Sequence, residues 1–78
     1  MEIARLVGIS PERLYYWERM GIVAPKHVRH GIRIFREYSR DDMKRALYVK
    51  NLVDTEGYRL ERAIDKLQEY LLLGDGDV

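Results

Sequence analysis

A short segment from Gly8 to Glu12 constrains the fold most, because it ends one helix and begins another within a few positions. Glycine tolerates the left-handed backbone that closes a helix. The Ser10 side-chain oxygen can accept a hydrogen bond from an unpaired backbone N–H of the first turn. Pro11 suits the first helical position, because its missing backbone N–H would have no partner there. Glu12 is stabilised by the positive end of the helix dipole. Gly21 ends the second helix in the same way. The sequence therefore predicts two short helices joined by a tight turn, which is a helix-turn-helix.

The second predicted helix has one apolar side and one polar side. Leu14 and Trp17 fall together on a helical wheel and are predicted to be buried. The outward face and its flanks carry Arg13, Tyr15, Tyr16 and Arg19. Exposed tyrosines beside arginines suit contacts to a nucleic-acid backbone. The second helix of such a motif usually enters the major groove of DNA, so we expect these four residues to face DNA.

Positive charge is concentrated in the first part of the chain. Residues 1–50 hold 11 Lys/Arg against 6 Asp/Glu, whereas residues 51–78 hold 3 against 7. The stretch from Lys26 to Arg36 has no acid, and its cations are Lys26, Arg29, Arg33 and Arg36. A charge run is often only a solvated loop. Its position directly after the Tyr/Arg helix favours a surface that neutralises phosphates.

The same stretch is predicted to form a hairpin wing. Two β-rich runs, residues 22–25 and 32–35, flank a basic tip with Gly31 in the return. His27 and His30 are interpreted as proton-dependent positive charge near DNA. They are not interpreted as a metal site, because no cysteine or well-spaced carboxylate accompanies them. We expect no metal and no cofactor.

Two further helices complete the predicted fold. Ser39 is a cap that precedes acids, and the following apolar side predicts a third helix ending at about residue 53 or 54. Gly57 breaks it, and a one-sided apolar stripe from Leu60 to Leu71 predicts a fourth helix. The fold class is mainly α: a winged helix-turn-helix with about four helices and a small hairpin. We expect one domain over residues 1–73 and a flexible tail over 74–78.

Composition excludes several other classes. The 78 residues contain no cysteine, which leaves no disulfide, zinc finger or thiolate chemistry. No apolar run approaches the ~20 residues that cross a bilayer, so we expect a soluble, cytoplasmic protein without a membrane partner. The sequence has no nucleophile-base pair and no phosphate-cradling glycine loop, and we do not expect an enzyme.

Four ordered blocks of the chain resemble the MerR-type transcriptional regulators. Residues 2–10, EIARLVGIS, are similar to the opening helix and turn of that family, and residues 14–22, LYYWERMGI, to its L-R-Y-Y/W-E-x-x-G-L signature. Residues 36–43, REYSRDDM, resemble its R-x-Y-S-x-x-D-L segment. Residues 56–60, EGYRL, resemble a stretch of the heat-shock-repressor-like branch. The separations of the four blocks make the match specific.

The resemblance implies roles for individual residues. Arg36 is the implied wing contact to phosphate, although the wing also allows an alignment in which Arg33 takes that role. The resemblance implies that Tyr38 packs or contacts the DNA backbone beside Arg36. It also implies that Glu18 braces the fold by pairing with a nearby basic residue. Tyr15 stands where the family usually has an arginine, which puts the usual bidentate guanine contact in doubt.

The predicted function is sequence-specific binding of double-stranded DNA, as the N-terminal DNA-binding domain of a MerR-type regulator. The family pattern implies a longer protein that forms a homodimer, whereas this chain alone is compatible with a monomer. Two alternatives stay open. One is a sequence-indifferent architectural or excisionase-like DNA binder, and the other is a module whose basic face docks an acidic protein partner.

Overall fold

The computed structural model describes residues 2–76, with side-chain surroundings for residues 3–73. The elements in chain order are α1 Glu2–Val7, α2 Pro11–Arg19, β1 Lys26–His30, β2 Arg33–Glu37, α3 Arg40–Lys50, a π-helical turn Asn51–Thr55, and α4 Leu60–Gly76. The predicted fold class, a mainly helical winged helix-turn-helix with a hairpin wing, is confirmed. The chain divides into two compact units, Met1–Ala46 and Leu47–Val78.

The two helices of the motif begin and end where the sequence predicted. Gly8 has a φ of 87°, and its N–H donates to the Ala4 carbonyl at 2.8 Å. The Ser10 hydroxyl oxygen accepts the Arg13 N–H at 3.2 Å and so caps α2. Leu14 and Trp17 are fully buried, as the helical wheel indicated. Local capping chemistry therefore set both helix boundaries.

The hairpin lies later in the sequence than predicted. β1 and β2 are antiparallel, with Lys26 opposite Glu37 and His30 opposite Arg33. The prediction of a strand over residues 22–25 is wrong. Ile22 and Val23 are buried outside any strand, and they fill the interior rather than pairing with a partner strand. Apolar β-branched residues such as Ile22 and Val23 favour strands, but they also suit a buried connection between elements.

The start of α3 is held by a reciprocal cap. The Ser39 hydroxyl oxygen accepts the Asp42 N–H at 3.0 Å, and the Asp42 carboxylate accepts both the backbone N–H and the hydroxyl of Ser39, at 2.9 and 3.1 Å. The other carboxylate oxygen accepts the Ala24 N–H at 2.8 Å. Asp42 is buried. The carboxylate therefore ties the connection before the hairpin to the helix after it, while acting as part of a capping box.

The second unit contains the end of α3, the π-helical turn and α4. The Glu56 N–H donates to the Asn51 carbonyl, which closes the wider turn at 3.1 Å. Leu52 is buried in this turn, and Ala63 and Leu67 are buried on α4. Tyr48 stacks on Tyr70 with ring centroids 4.8 Å apart. The third helical segment thus reaches Thr55, close to its predicted end, but its last turn is π-helical.

Helix α4 extends into the C-terminal segment, and the domain boundary and the flexible tail stay predictions. It runs to Gly76, so residues 74–76 of the predicted tail are helical, and Asp77 and Val78 lie outside the described residues. Across the described part of the chain, no helix is both long enough and apolar enough to cross a membrane.

We expect Asp42→Asn to lower the free energy of unfolding by about 1–3 kcal/mol, because an amide NH₂ would face a backbone N–H that the carboxylate now accepts. Urea unfolding of the full chain measures this. Asp41→Asn is the matched control, since Asp41 is exposed in the same first turn. Equal losses for the two variants would contradict a bridging role for Asp42.

The loss caused by Asp42→Asn is also expected to depend on pH. Burial raises the pKa of Asp42, but hydrogen bonds from Ala24 and Ser39 outweigh it, and the pKa lies below the ordinary value. Because this pKa is lowered in the folded state, the ionised carboxylate stabilises the fold at pH values above the unfolded-state pKa of about 3.9. This stabilisation is lost as the pH falls through the folded-state pKa. The difference between variant and wild type should therefore shrink at acid pH.

Candidate nucleic-acid interface

The two faces of the hairpin carry different cations. Side chains alternate along each strand, and residues directly opposite one another share a face. The register places His27, Arg29, Ile34 and Arg36 on one face. The opposite face carries Lys26, Val28, His30, Arg33, Phe35 and Glu37. Arg33 and Arg36, the two candidates for the main wing contact, therefore point to opposite sides of the wing.

Glu18 joins α2 to the first of these faces. Its Oε1 accepts the Arg36 Nε at 2.7 Å, and its Oε2 lies 3.1 Å from the His27 Nε2. His27 and Arg36 are opposite each other in the register, so one carboxylate contacts both strands. The face with Arg29 and Arg36 is thus the face turned toward α2. The predicted pairing of Glu18 with a nearby base agrees with these contacts.

The electrostatics of this contact favour its charged form. Burial raises the pKa of Glu18, but hydrogen bonds from Arg36 and His27 outweigh it, and the pKa lies below the ordinary value. The hydrogen bond with Glu18 in turn raises the pKa of Arg36. Both groups therefore keep their charges across the neutral range. Because the contact uses the Arg36 Nε, the two Nη nitrogens of the guanidinium lie outside it.

Four arginines of the predicted interface lie over aromatic rings, and one of them, Arg33, lies 5.6 Å from the centre of the Phe35 ring on the wing face away from α2. The Arg36 guanidinium carbon is 4.6 Å from the centre of the Tyr15 ring. Within α2, the Arg19 guanidinium lies 5.5 Å from Tyr16, and that of Arg13 lies 4.9 Å from the Trp17 ring. Cation–π contact orients each guanidinium plane without consuming its N–H donors. These arginines are therefore held in place before any ligand binds.

Most of the predicted DNA-binding residues lie on the surface. Tyr15 and Tyr16 are 39% and 43% exposed. Arg13 is half-buried on the same helix. The exposed cations are Arg19, Lys26, Arg29, Arg33 and Arg36. The structure thus brings the α2 residues and the α2-facing wing residues together, whereas Lys26 and Arg33 lie on the other side of the wing.

Tyr38 differs from the other predicted contacts. Its hydroxyl oxygen is buried and has no hydrogen-bond partner among the described residues. Burial, with a contribution from the charge of Glu18, raises the pKa of this hydroxyl despite the opposing charge of Arg36. Of the two roles that the sequence allowed, packing or backbone contact, the observed burial favours packing.

An open, mainly apolar groove of about 700 Å³ lies beside Tyr38. Its walls come from α1, β2, the start of α3, and Tyr15 of α2. Leu6 of α1 is 60% exposed and lines this groove. No cluster of three or more His, Cys, Asp or Glu side chains suited to a metal occurs among the described residues.

Sequence reasoning missed two contacts of the site. The stacking of Arg36 on Tyr15 joins residues from different elements, and no local pattern indicates it. The hydrogen bond from Ala24 to Asp42 likewise spans 18 positions. The capping role of Asp42 had a sequence signal, because an acid three residues after Ser39 completes a capping box. Its hydrogen bond with the Ala24 N–H had none.

Comparison with known proteins decides the family. Residues 1–70 match the MerR helix-turn-helix family of regulatory proteins. The chain belongs to the MerR family. This confirms the resemblance seen in its four sequence blocks and makes the chain a MerR-type DNA-binding domain of the transcription-regulator class. Membership in the heat-shock-repressor-like branch stays a prediction.

A curated relative supports the MerR assignment. An uncharacterized HTH-type transcriptional regulator of Synechocystis sp. is 33% identical over 67 residues, which cover 85% of this chain and 46% of the relative. The chain thus spans less than half the length of that relative. No solved structure matches the chain significantly.

We expect Glu18→Gln to loosen the wing of this MerR domain, because a neutral amide loses the ion pair with Arg36. The hairpin amides, residues 26–37, should exchange hydrogen faster, and the free energy of unfolding should fall by about 1 kcal/mol. Hydrogen-exchange mass spectrometry and urea unfolding measure these effects. Glu12→Gln, an exposed acid in the first turn of α2, is the matched control.

The pH dependence gives a second test of the Glu18 contact. Its pKa is lowered in the folded chain, so the stabilisation is present above the unfolded-state value of about 4.3 and is lost as pH falls through the folded value. Wild type and Glu18→Gln should converge in stability near the acid limit. A difference that persists unchanged there would argue against the ionised carboxylate as its cause.

Proposed function

We propose that this MerR domain binds specific sequences of double-stranded DNA, with α2 in the major groove and the wing on the phosphate backbone. The observation that carries this proposal is the Glu18 contact to His27 and Arg36. It sets a cationic wing face beside a helix that displays arginines and tyrosines. Helix α2 and the wing can therefore contact the same duplex, because the helix reads base edges while the wing cations neutralise phosphates.

The proposal divides the work between two sets of residues. Base reading is assigned to α2, with Arg13, Tyr16 and Arg19 as the residues involved. Phosphate neutralisation is assigned to the wing, with Arg29 and Arg36 on the α2-facing side and Lys26 and Arg33 on the other. Tyr15 is assigned a supporting role because it lies under Arg36, and Tyr38 a packing role because its hydroxyl is buried.

We further propose that two copies act together within a longer regulator. A single small DNA-binding module buries only about 600–1,000 Å² on DNA, which gives weak binding by itself. Two modules on a repeated site add their contacts and read twice the sequence. A homodimer is therefore the proposed functional form.

Selection from a random pool of duplex DNA tests the central proposal. The chain is immobilised, retained duplexes are sequenced, and enrichment of a short motif is the expected result. A motif in inverted or direct repeat would support the proposed dimer. Retention without enrichment would favour a sequence-indifferent binder, and absence of retention at low salt would favour an acidic protein partner.

We expect Arg29→Gln to weaken binding to all duplexes and to reduce the slope of log K against log salt by about 0.9, the value for one phosphate contact. Titrations of the selected duplex at several salt concentrations measure the slope. Lys44→Gln removes an equal charge from the exposed side of α3 and serves as the control. If both variants changed the slope equally, Arg29 would contribute only to general charge.

We expect Arg19→Lys to change base preference while leaving the salt slope unchanged, because lysine keeps the charge but lacks the planar fork that pairs with guanine. Discrimination should fall by about 1–3 kcal/mol at one base position of the selected motif. Repeating the selection with the variant detects this. Arg5→Lys on α1 is the conservative control, and an unchanged motif for Arg19→Lys would remove Arg19 from the base-reading set.

A further inference from the structure

The turn at the tip of the wing presents an apolar side chain to solvent. Gly31 and Ile32 form the two-residue turn between the paired residues His30 and Arg33. Gly31 has a φ of 65°, which fits the first central position of a type II′ hairpin turn. Ile32 occupies the second central position and is 99% exposed. Turn residues at such positions are usually small or polar, so a fully exposed isoleucine is unusual for the turn itself.

His30 and Arg33 flank the turn that holds Ile32, and both contact the same aromatic ring. Phe35 lies behind the tip and contacts two of its positive or titratable groups. The His30 ring meets the Phe35 ring edge-on at 5.4 Å, and the Arg33 guanidinium lies 5.6 Å from the same ring. These contacts hold His30 and Arg33 on either side of the turn, and Ile32 lies between them. An exposed apolar residue needs no explanation by itself, but one that lies in the turn of an interface element between His30 and Arg33 does.

The length of the wing sets what its tip can reach. Glu18 anchors the hairpin to α2 at His27 and Arg36, and the turn begins four residues further on, at Gly31. Four residues of strand span roughly 14 Å. A helix centred in a major groove about 12 Å wide lies about 6 Å from the bounding phosphates. A wing anchored on that helix is therefore long enough to pass the phosphate strand and reach the adjacent minor groove.

We propose that Ile32 enters the minor groove of the bound duplex as an apolar wedge at a base step. The inference rests on the proposed function and deepens it. Isoleucine is among the side chains that insert between base steps from the minor groove, and its transfer from water is favourable. The flanking His30 and Arg33 then lie at the phosphates that border the groove. Flexible pyrimidine–purine steps unstack most easily, so the wedge favours a TA or CA/TG step beneath the wing.

Ile32→Ser tests the wedge with the full chain and the duplex recovered by selection. We expect binding to weaken about tenfold, which corresponds to partial burial of one isoleucine side chain. The salt slope should stay unchanged because no charge is removed. Serine suits a turn, so the hairpin should still form. Ile32→Leu keeps an apolar wedge and should bind like wild type.

A structural readout separates insertion from a general loss of affinity. Duplexes carry 2-aminopurine in place of individual adenines beside the selected motif, and its fluorescence rises when a base unstacks. Wild type and Ile32→Leu should raise the fluorescence at one step, and Ile32→Ser should not. Leu72→Ser, which changes an exposed apolar residue of α4 outside the wing, is the matched control and should behave as wild type.

The possible failures are distinguishable. If wild type binds a selected motif but Ile32→Ser matches it in affinity and fluorescence, the wedge is overturned and the proposed function stands. Weaker binding by Ile32→Ser without any unstacking signal for wild type would also overturn insertion. If wild type retains no duplex, both the proposed function and the wedge are overturned.

Discussion

The arrangement of the interface depends on the contacts that the Glu18 carboxylate makes with His27 and Arg36. The carboxylate accepts from Arg36 and contacts His27 across the hairpin, so a single side chain aligns both strands with α2. The hairpin has only two strands, and an isolated two-stranded hairpin is marginally stable in water. Its position beside α2 therefore comes from side-chain contacts, which include this ion pair at 2.7 Å.

Arg36 connects that contact to the aromatic surface of α2. Its guanidinium donates to Glu18 and lies over the Tyr15 ring, so one side chain is restrained by an acid and an aromatic at once. Tyrosine at position 15 thereby gains a physical role that an arginine there would not fill, because two guanidinium groups would repel each other. The departure from the usual family residue is compatible with a wing arginine that is oriented in advance.

Asp42 plays a corresponding part just outside the same open end of the hairpin, where the chain enters β1 and leaves β2. It caps α3 through Ser39 and accepts the Ala24 N–H just before β1 begins. Both carboxylates are partly or fully removed from water, and each is compensated by several donors, which is the condition for burying an ionised group. Two acids thus organise a surface that is otherwise cationic, and neither belongs to the set of residues predicted to meet DNA.

The sequence by itself determined the order and most boundaries of the elements. Gly8, Ser10 and Ser39 act through their own backbone neighbours, so capping and turn signals could be interpreted locally. The family likewise followed from short ordered blocks. The strand predicted over residues 22–25 failed because burial of Ile22 and Val23 depends on packing from elsewhere in the chain.

Only the tertiary structure decided which wing face turns toward α2, and hence that Arg36 rather than Arg33 lies beside Glu18. The physical reason is that the two-residue turn fixes the strand register locally, whereas the face that turns toward α2 depends on contacts between residues far apart in sequence, such as Glu18 and Arg36.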